Sequence, residues 1–122
     1  MIIPKQKDII FIDYEPHSGK EYGGHDKKNI RRPMVVLSNN AYNEKTGLII
    51  GMPITTAHKS NNQLYKQIII PNSLGKGVNG FIVLWQVQNF DYRSRNAEIV
   101  GSVSDKIFKE LLKAHSQIFE KV

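Results

Sequence analysis

Two short apolar runs constrain this chain more than any other feature: Arg31-Arg32-Pro33-Met34-Val35-Val36-Leu37-Ser38 and Ile49-Ile50-Gly51-Met52-Pro53-Ile54-Thr55-Thr56. Each is continuous, rich in β-branched residues and bounded by turn formers, the pattern of a short buried β-strand. Each also carries polar groups at one end. Arg32 precedes the first strand, and Thr55 and Thr56 follow the second. Pairing the two strands would bring a guanidinium and one or two hydroxyls to one rim of a sheet.

The same strand pattern recurs along the chain. Asp8 to Tyr14 is a strand, apolar on both faces at its centre, that breaks at Pro16. Residues 15 to 31 form a long polar segment with Gly19, Gly23, Gly24, His17, His25 and the basic run from Lys27 to Arg32. A segment of this length without its own pattern reads as a functional or partly disordered loop. The strand at 33 to 38 turns at Asn39-Asn40, and residues 41 to 47 read as a loop leading into the strand at 48 to 54. Further strands are expected at Tyr65 to Ile70, Phe81 to Val87 and Glu98 to Gly101, with polar loops at 58 to 63 and 73 to 80. The period then changes. Ile107, Phe108, Leu111, Leu112, Ile118, Phe119 and Val122 follow helical spacing on one stripe. Ser104 is a suitable N-cap, Asp105 complements the helix dipole, and Val103 and Phe108 are set for a hydrophobic staple. Several short strands and one closing helix predict a mainly β fold with a C-terminal α-helix, an antiparallel barrel or curled sheet.

With 122 residues, the chain is expected to form a single domain, 1–122, burying about two-thirds of its unfolded-state surface. No apolar run approaches the ~20 residues that cross a bilayer, so no membrane partner is expected. The N-terminus lacks the basic and apolar regions of a signal peptide. Absence of cysteine excludes disulfides and thiolate metal sites, and cytoplasmic localisation is the expectation. The formal net charge of +6 suits solubility, or an anionic partner such as nucleic acid or an acidic protein. Four scattered histidines without metal-ligand spacing predict no metal site and no cofactor.

The rim residues suit a phosphodiester. Arginine offers a rigid fork of donors to phosphate oxygens and threonine a neutral donor. The bland alternatives are a surface Arg32 paired with a carboxylate and a strand-end Thr55 capping a turn. His17 and His25 form one candidate pair for proton transfer near neutral pH. Trp85 and Phe81 read as core rather than as base-stacking platforms. Tyr92 suits either stacking or packing.

In order along the chain, these residues resemble the MazF/PemK family of toxin endoribonucleases, which share a fold with the gyrase poison CcdB. Asp8 to Pro16 is similar to the family's opening strand, Gly19-Lys20-Glu21-Tyr22-Gly23-Gly24 to its G-x-E-x-x-G loop, and Arg32 to Ser38 to its R-P-x-V-V-L-S strand. Asn43-Glu44-Lys45-Thr46-Gly47 resembles N-x-x-T-G, Pro53 to Thr56 resembles P-x-T-[TS], and Gln86 to Arg95 the Q-V stretch with its two arginines. Two features depart from the pattern. Asp26-Lys27-Lys28-Asn29-Ile30-Arg31 is an insertion that makes Arg31 a rival to Arg32, with Pro33 favouring Arg32. Trp85 stands where aspartate is frequent.

The resemblance implies a small SH3-like, CcdB/PemK-type barrel and a sequence-specific, metal-independent endoribonuclease acting on single-stranded RNA. It implies attack by the ribose 2′-hydroxyl leaving a 2′,3′-cyclic phosphate, a homodimer with RNA across its interface, and a cognate acidic antitoxin. By that resemblance Arg32, Thr55 and Glu21 are the catalytic candidates, Glu21 as base in competition with His17 and His25. Thr56, Lys27, Lys28, Arg31, Gln86, Tyr92, Arg93 and Arg95 are the RNA-binding candidates. Gyrase poisons of this fold carry a Trp-Gly-Ile terminus, whereas this chain ends Phe119-Glu120-Lys121-Val122.

Overall fold

The computed structural model describes residues 2–15, 30–70 and 77–121. Among the described residues, seven strands and two helices follow in chain order: β1 (Asp8–Glu15), β2 (Ile30–Val36), α1 (Asn40–Thr46), β3 (Leu48–Thr55), β4 (Tyr65–Ile70), β5 (Val78–Val83), β6 (Gln88–Asp91), β7 (Glu98–Ser102) and α2 (Asp105–Ile118). Hydrogen-bonded neighbours run β4-β5-β3-β2-β1-β7, with β6 also on β3, and every pairing is antiparallel. The Ile70 side chain of edge strand β4 lies against Gly101 of the other edge strand, β7. The result is the expected nearly closed barrel with a C-terminal helix.

Strand β3 organises it. One edge pairs with β2 through Gly51–Pro53. The other pairs first with β6, from Leu48 to Gly51, and then with β5 at Ile54 and Thr55. Met52 and Pro53 fall where that second edge has no ladder partner, which is where a proline can sit inside a central strand. The chain between β5 and β6 turns outward there, at residues 84–87.

Alternating side chains of β1 serve two cores, as its doubly apolar sequence predicts. Ile9 joins Val35, Met52, Ile54, Ile82 and the α2 residues Phe108 and Leu111. Ile10 and Ile12 join Met34, Val36, Ile49 and Tyr92. Helix α2 is capped by Ser104, whose side chain accepts from the Ile107 N–H, and Val103 and Phe108 are both buried beneath it. The expected single apolar stripe is only half realised. Leu112, Ile118 and Phe119 are exposed, because the barrel covers one side of the first three turns.

Three segments depart from the sequence reading. Residues 40–46, read as turn and loop, form α1. Asn39 caps it by accepting from the Tyr42 N–H, and Gly47 ends it at φ 74°, a left-handed conformation that glycine adopts without cost. Asn43 of this helix is fully buried: its amide donates to Pro4 O at 2.8 Å and its backbone carbonyl accepts from the Tyr92 hydroxyl. Strand β5 begins at Val78 and ends at Val83, instead of spanning 81–87, and β6 forms where no element was expected. Trp85, expected in the core, is 51% exposed on the turn.

Candidate active site

The register of three strands brings Arg32 and Thr55 together. Arg32 pairs with Ile12, and Met34 with both Ile10 and Pro53. Period-two alternation then sets Arg32, Met34 and Pro53 on one face, and carrying the β2–β3 register two residues further puts Thr55 opposite Arg32. Their side chains line one open cleft of about 270 Å³ with Tyr14, Pro53, Ile54, Val83 and Gln86. Gln86 reaches it from the turn that interrupts the β5–β6 edge. Arg32, Thr55 and Gln86 are thus three predicted residues at a single site.

Within the cleft the donors are well disposed for an anion. Arg32 is exposed, and among the described residues no carboxylate pairs with it. The Thr55 hydroxyl oxygen accepts from the Ala57 N–H at 3.2 Å, the turn-capping contact anticipated as an alternative. That contact occupies a lone pair and leaves the O–H able to donate. Thr56 is exposed just beyond β3.

Tyr14, Pro53, Ile54 and Val83 complete the cleft, and sequence reasoning did not single them out. Tyr14 lies at an irregularity of the β1–β2 register, between Asp13, which pairs with Arg31, and Glu15, which pairs with Ile30. Its hydroxyl donates to Gln88 Oε1 at 2.5 Å, its ring packs edge-on against Phe90, and the Arg32 guanidinium lies 5.8 Å from its centroid.

The neighbouring cations divide sharply. Arg31, the rival to Arg32, points away from the cleft: its Nη1 donates to Asp13 Oδ1 at 2.8 Å, and its Nη2 donates to Asn96 O at 3.0 Å. Asp13 is buried, and its second carboxylate oxygen accepts from the Asn96 amide at 2.7 Å. Arg95 donates to the carbonyls of Asp13 and Tyr14 and stacks 4.0 Å from the Phe90 centroid. Arg31 and Arg95 therefore hold the turn at 92–96 onto the end of β1. Arg93 is exposed, its guanidinium 5.8 Å from the Tyr92 ring. Tyr92 itself is 2% exposed with its hydroxyl bonded to Asn43 O. This corrects its assignment as an RNA-stacking residue: the ring is packing.

Glu21, His17, His25, Lys27 and Lys28 lie outside the described residues. His58 is exposed and edge-on to Phe81, and His115 is on α2 beside Phe119. Among the described residues no three His, Asp or Glu side chains gather as metal ligands, and no helix is long and apolar enough to cross a membrane.

Residues 5–119 match the family model described as PemK-like, MazF-like toxin of type II toxin-antitoxin system. The chain is 33% identical over 112 residues to the endoribonuclease toxin MazF of Escherichia coli (strain K12), covering 92% of this chain and 89% of that protein. It is 30% identical over 106 residues to the endoribonuclease toxin ChpB of the same organism, covering 86% and 84% of the two chains. Among solved structures, MazF of Deinococcus radiodurans superposes with a TM-score of 0.74 at 26% identity over 98% of both chains. A MazE–MazF complex from that organism shares the fold, with a TM-score of 0.71 at 24% identity over the whole of both chains.

Proposed function

The chain belongs to the PemK-like, MazF-like toxins of type II toxin–antitoxin systems and is an endoribonuclease toxin; from that premise we propose that it cleaves single-stranded RNA at a short sequence, without a metal ion, in the cleft between Arg32 and Thr55. The observation carrying this reading is the shared cleft itself, which Arg32 and Thr55 both line.

In the reaction the ribose 2′-oxygen attacks the adjacent phosphorus. Its proton goes to a base, the P–O5′ bond breaks, and the 5′-oxygen takes up a proton, leaving a 2′,3′-cyclic phosphate and a 5′-hydroxyl. Arg32 binds the non-bridging oxygens as charge builds on them, the role in which arginine contributes about three orders of magnitude or more to phosphoryl transfer. Thr55 donates a further hydrogen bond to the same phosphate. Glu21, His17 and His25, the three candidates for the base, all belong to the segment between β1 and β2, which joins the strand of Tyr14 to the strand of Arg32.

Gln86, at the cleft, and Thr56, beside it, contact the flanking nucleotides, and Arg93, Lys27 and Lys28 supply charge along the backbone. Arg31 and Arg95 act structurally. The chain works as a single domain in the cytoplasm, as a homodimer, and an acidic antitoxin segment silences it by occupying the RNA groove. Support for the antitoxin comes from the family description and from the net charge of +6. Incubating the purified protein with mixed-sequence RNA in EDTA tests the reading. Fragments ending in 2′,3′-cyclic phosphate are expected; a protein that binds the RNA but leaves it whole would be a binding barrel and not a nuclease.

A further inference from the structure

The two cores on either side of β1 are filled by Ile9, Ile10 and Ile12. Tyr14 stands two residues beyond Ile12, the cross-strand partner of Arg32, so period-two alternation sets its phenol on the cleft face beside Arg32. We propose that Tyr14 is a positioning residue for Arg32: its ring, fixed at both ends, holds the guanidinium in the orientation that meets the phosphate. This rests on the reading of Arg32 as the phosphate-binding group.

Three contacts make the ring rigid. Its backbone carbonyl accepts from Arg95 Nη1 at 2.8 Å, its ring is edge-on to Phe90 at 5.5 Å, and its hydroxyl donates to Gln88 Oε1. Gln88 pairs with Gly51 on β3, the strand that ends at Thr55. The phenol therefore ties the strand next to Arg32 to the sheet that carries Thr55. An exposed arginine is otherwise a long side chain free to sample many rotamers, and its bidentate fork is effective only in one plane. The guanidinium, 5.8 Å from the Tyr14 centroid, is within the range where a ring face attracts a cation.

Because Arg32 binds the transition state more than the ground state, losing its orientation should lower kcat and leave KM nearly unchanged. The experiment measures both constants on the full chain, with an oligoribonucleotide containing the mapped cleavage site. Wild type, Tyr14→Phe and Tyr14→Leu are compared, and Tyr14→Leu is repeated in an Arg32→Ala background by single-turnover rates. Tyr14→Leu is expected to lower kcat roughly two- to thirty-fold, and Tyr14→Phe, which keeps the ring, to restore most of that loss. In the Arg32→Ala background Tyr14→Leu is expected to change the rate by less than about twofold, since its effect is exerted through the missing guanidinium. Equal losses in both backgrounds, or a loss confined to KM, would overturn the proposal. If Tyr14→Leu does not fold, Tyr14→Met, which keeps a side chain of similar length without the ring face, takes its place, and an unchanged kcat there would overturn the proposal equally. Wild-type protein without cleavage would instead sink the nuclease reading; active wild type with an indifferent Tyr14 sinks only this inference.

Discussion

Replacing Gly80 by alanine should damage an active site it does not touch. A Cβ at Gly80 would meet the Thr55 carbonyl oxygen at 2.4 Å and Ile54 Cγ2 at 3.2 Å. The first obstacle is backbone, held in the β3–β5 ladder where Thr55 pairs with Phe81, and cannot rotate away. Restoring ordinary contact requires the two strands to part by roughly 1 Å. Overpacking of this kind costs about 1–3 kcal/mol, a fall in Tm of roughly 4–12 °C for a domain of this size. A 1 Å shift of a group that meets the reacting phosphate can cost up to about 10²-fold in rate. Gly47→Ala provides the contrast. Nothing lies within 4 Å of its Cβ, but φ is +74°, so it should lose roughly 1 kcal/mol of stability with kcat preserved. Thermal unfolding followed by circular dichroism, and initial cleavage rates well below Tm, separate the two. The reasoning fails if Gly80→Ala unfolds and cleaves like wild type, or if Gly47→Ala loses as much rate as Gly80→Ala.

Other expectations follow from the same geometry. Thr55→Ala should lower the rate roughly ten- to hundredfold, the worth of a hydrogen bond to a charged phosphate, with Tm lowered only by the loss of the exposed contact from the Ala57 N–H. Asp13→Asn takes away the buried, closer carboxylate of Arg31 and leaves it the exposed Glu98 at 3.6 Å; it should cost about 2 kcal/mol, discounted because Arg31 is partly exposed, and urea denaturation reads this directly. Burial raises the Asp8 carboxyl above its ordinary value of 3.8, against the lowering hydrogen bond from the Lys5 N–H. The folded state therefore binds that proton more tightly than the unfolded chain. Its contribution to stability is complete below pH 3.8 and is lost as pH rises through the raised pKa. Asp8→Asn should remove this component from the Tm profile measured between pH 7 and pH 3.8.

Much of the barrel was legible because burial imposes a period. The doubly apolar β1, the runs of β2 and β3 and the cap of α2 announce themselves through residues whose placement is dictated by hydrophobic contact. Helix α1 did not, since seven residues offer too few turns for a period, and its stability comes from Asn43 bonding to Pro4 and Tyr92, far away in sequence. Strand β5 was cut short because Gly80 looks like a loop residue; only the proximity of the Thr55 carbonyl explains it. At the site, Arg32, Thr55 and Gln86 were found through strand ends and family resemblance. Arg31 and Arg95 could not be told from RNA-binding cations, because a sequence does not say which arginine faces a buried Asp13. Tyr14 was missed because it borders Arg32 only through the β1–β2 register, which no local pattern encodes.

The most direct test of the central claim is the chemistry of the cut ends in EDTA, wild type beside Arg32→Ala. Wild type is expected to leave 2′,3′-cyclic phosphate and 5′-hydroxyl ends, and Arg32→Ala to slow their appearance by about three orders of magnitude at unchanged Tm. Cleavage that stops in EDTA, that leaves 5′-phosphates, or that survives the loss of Arg32 would contradict it.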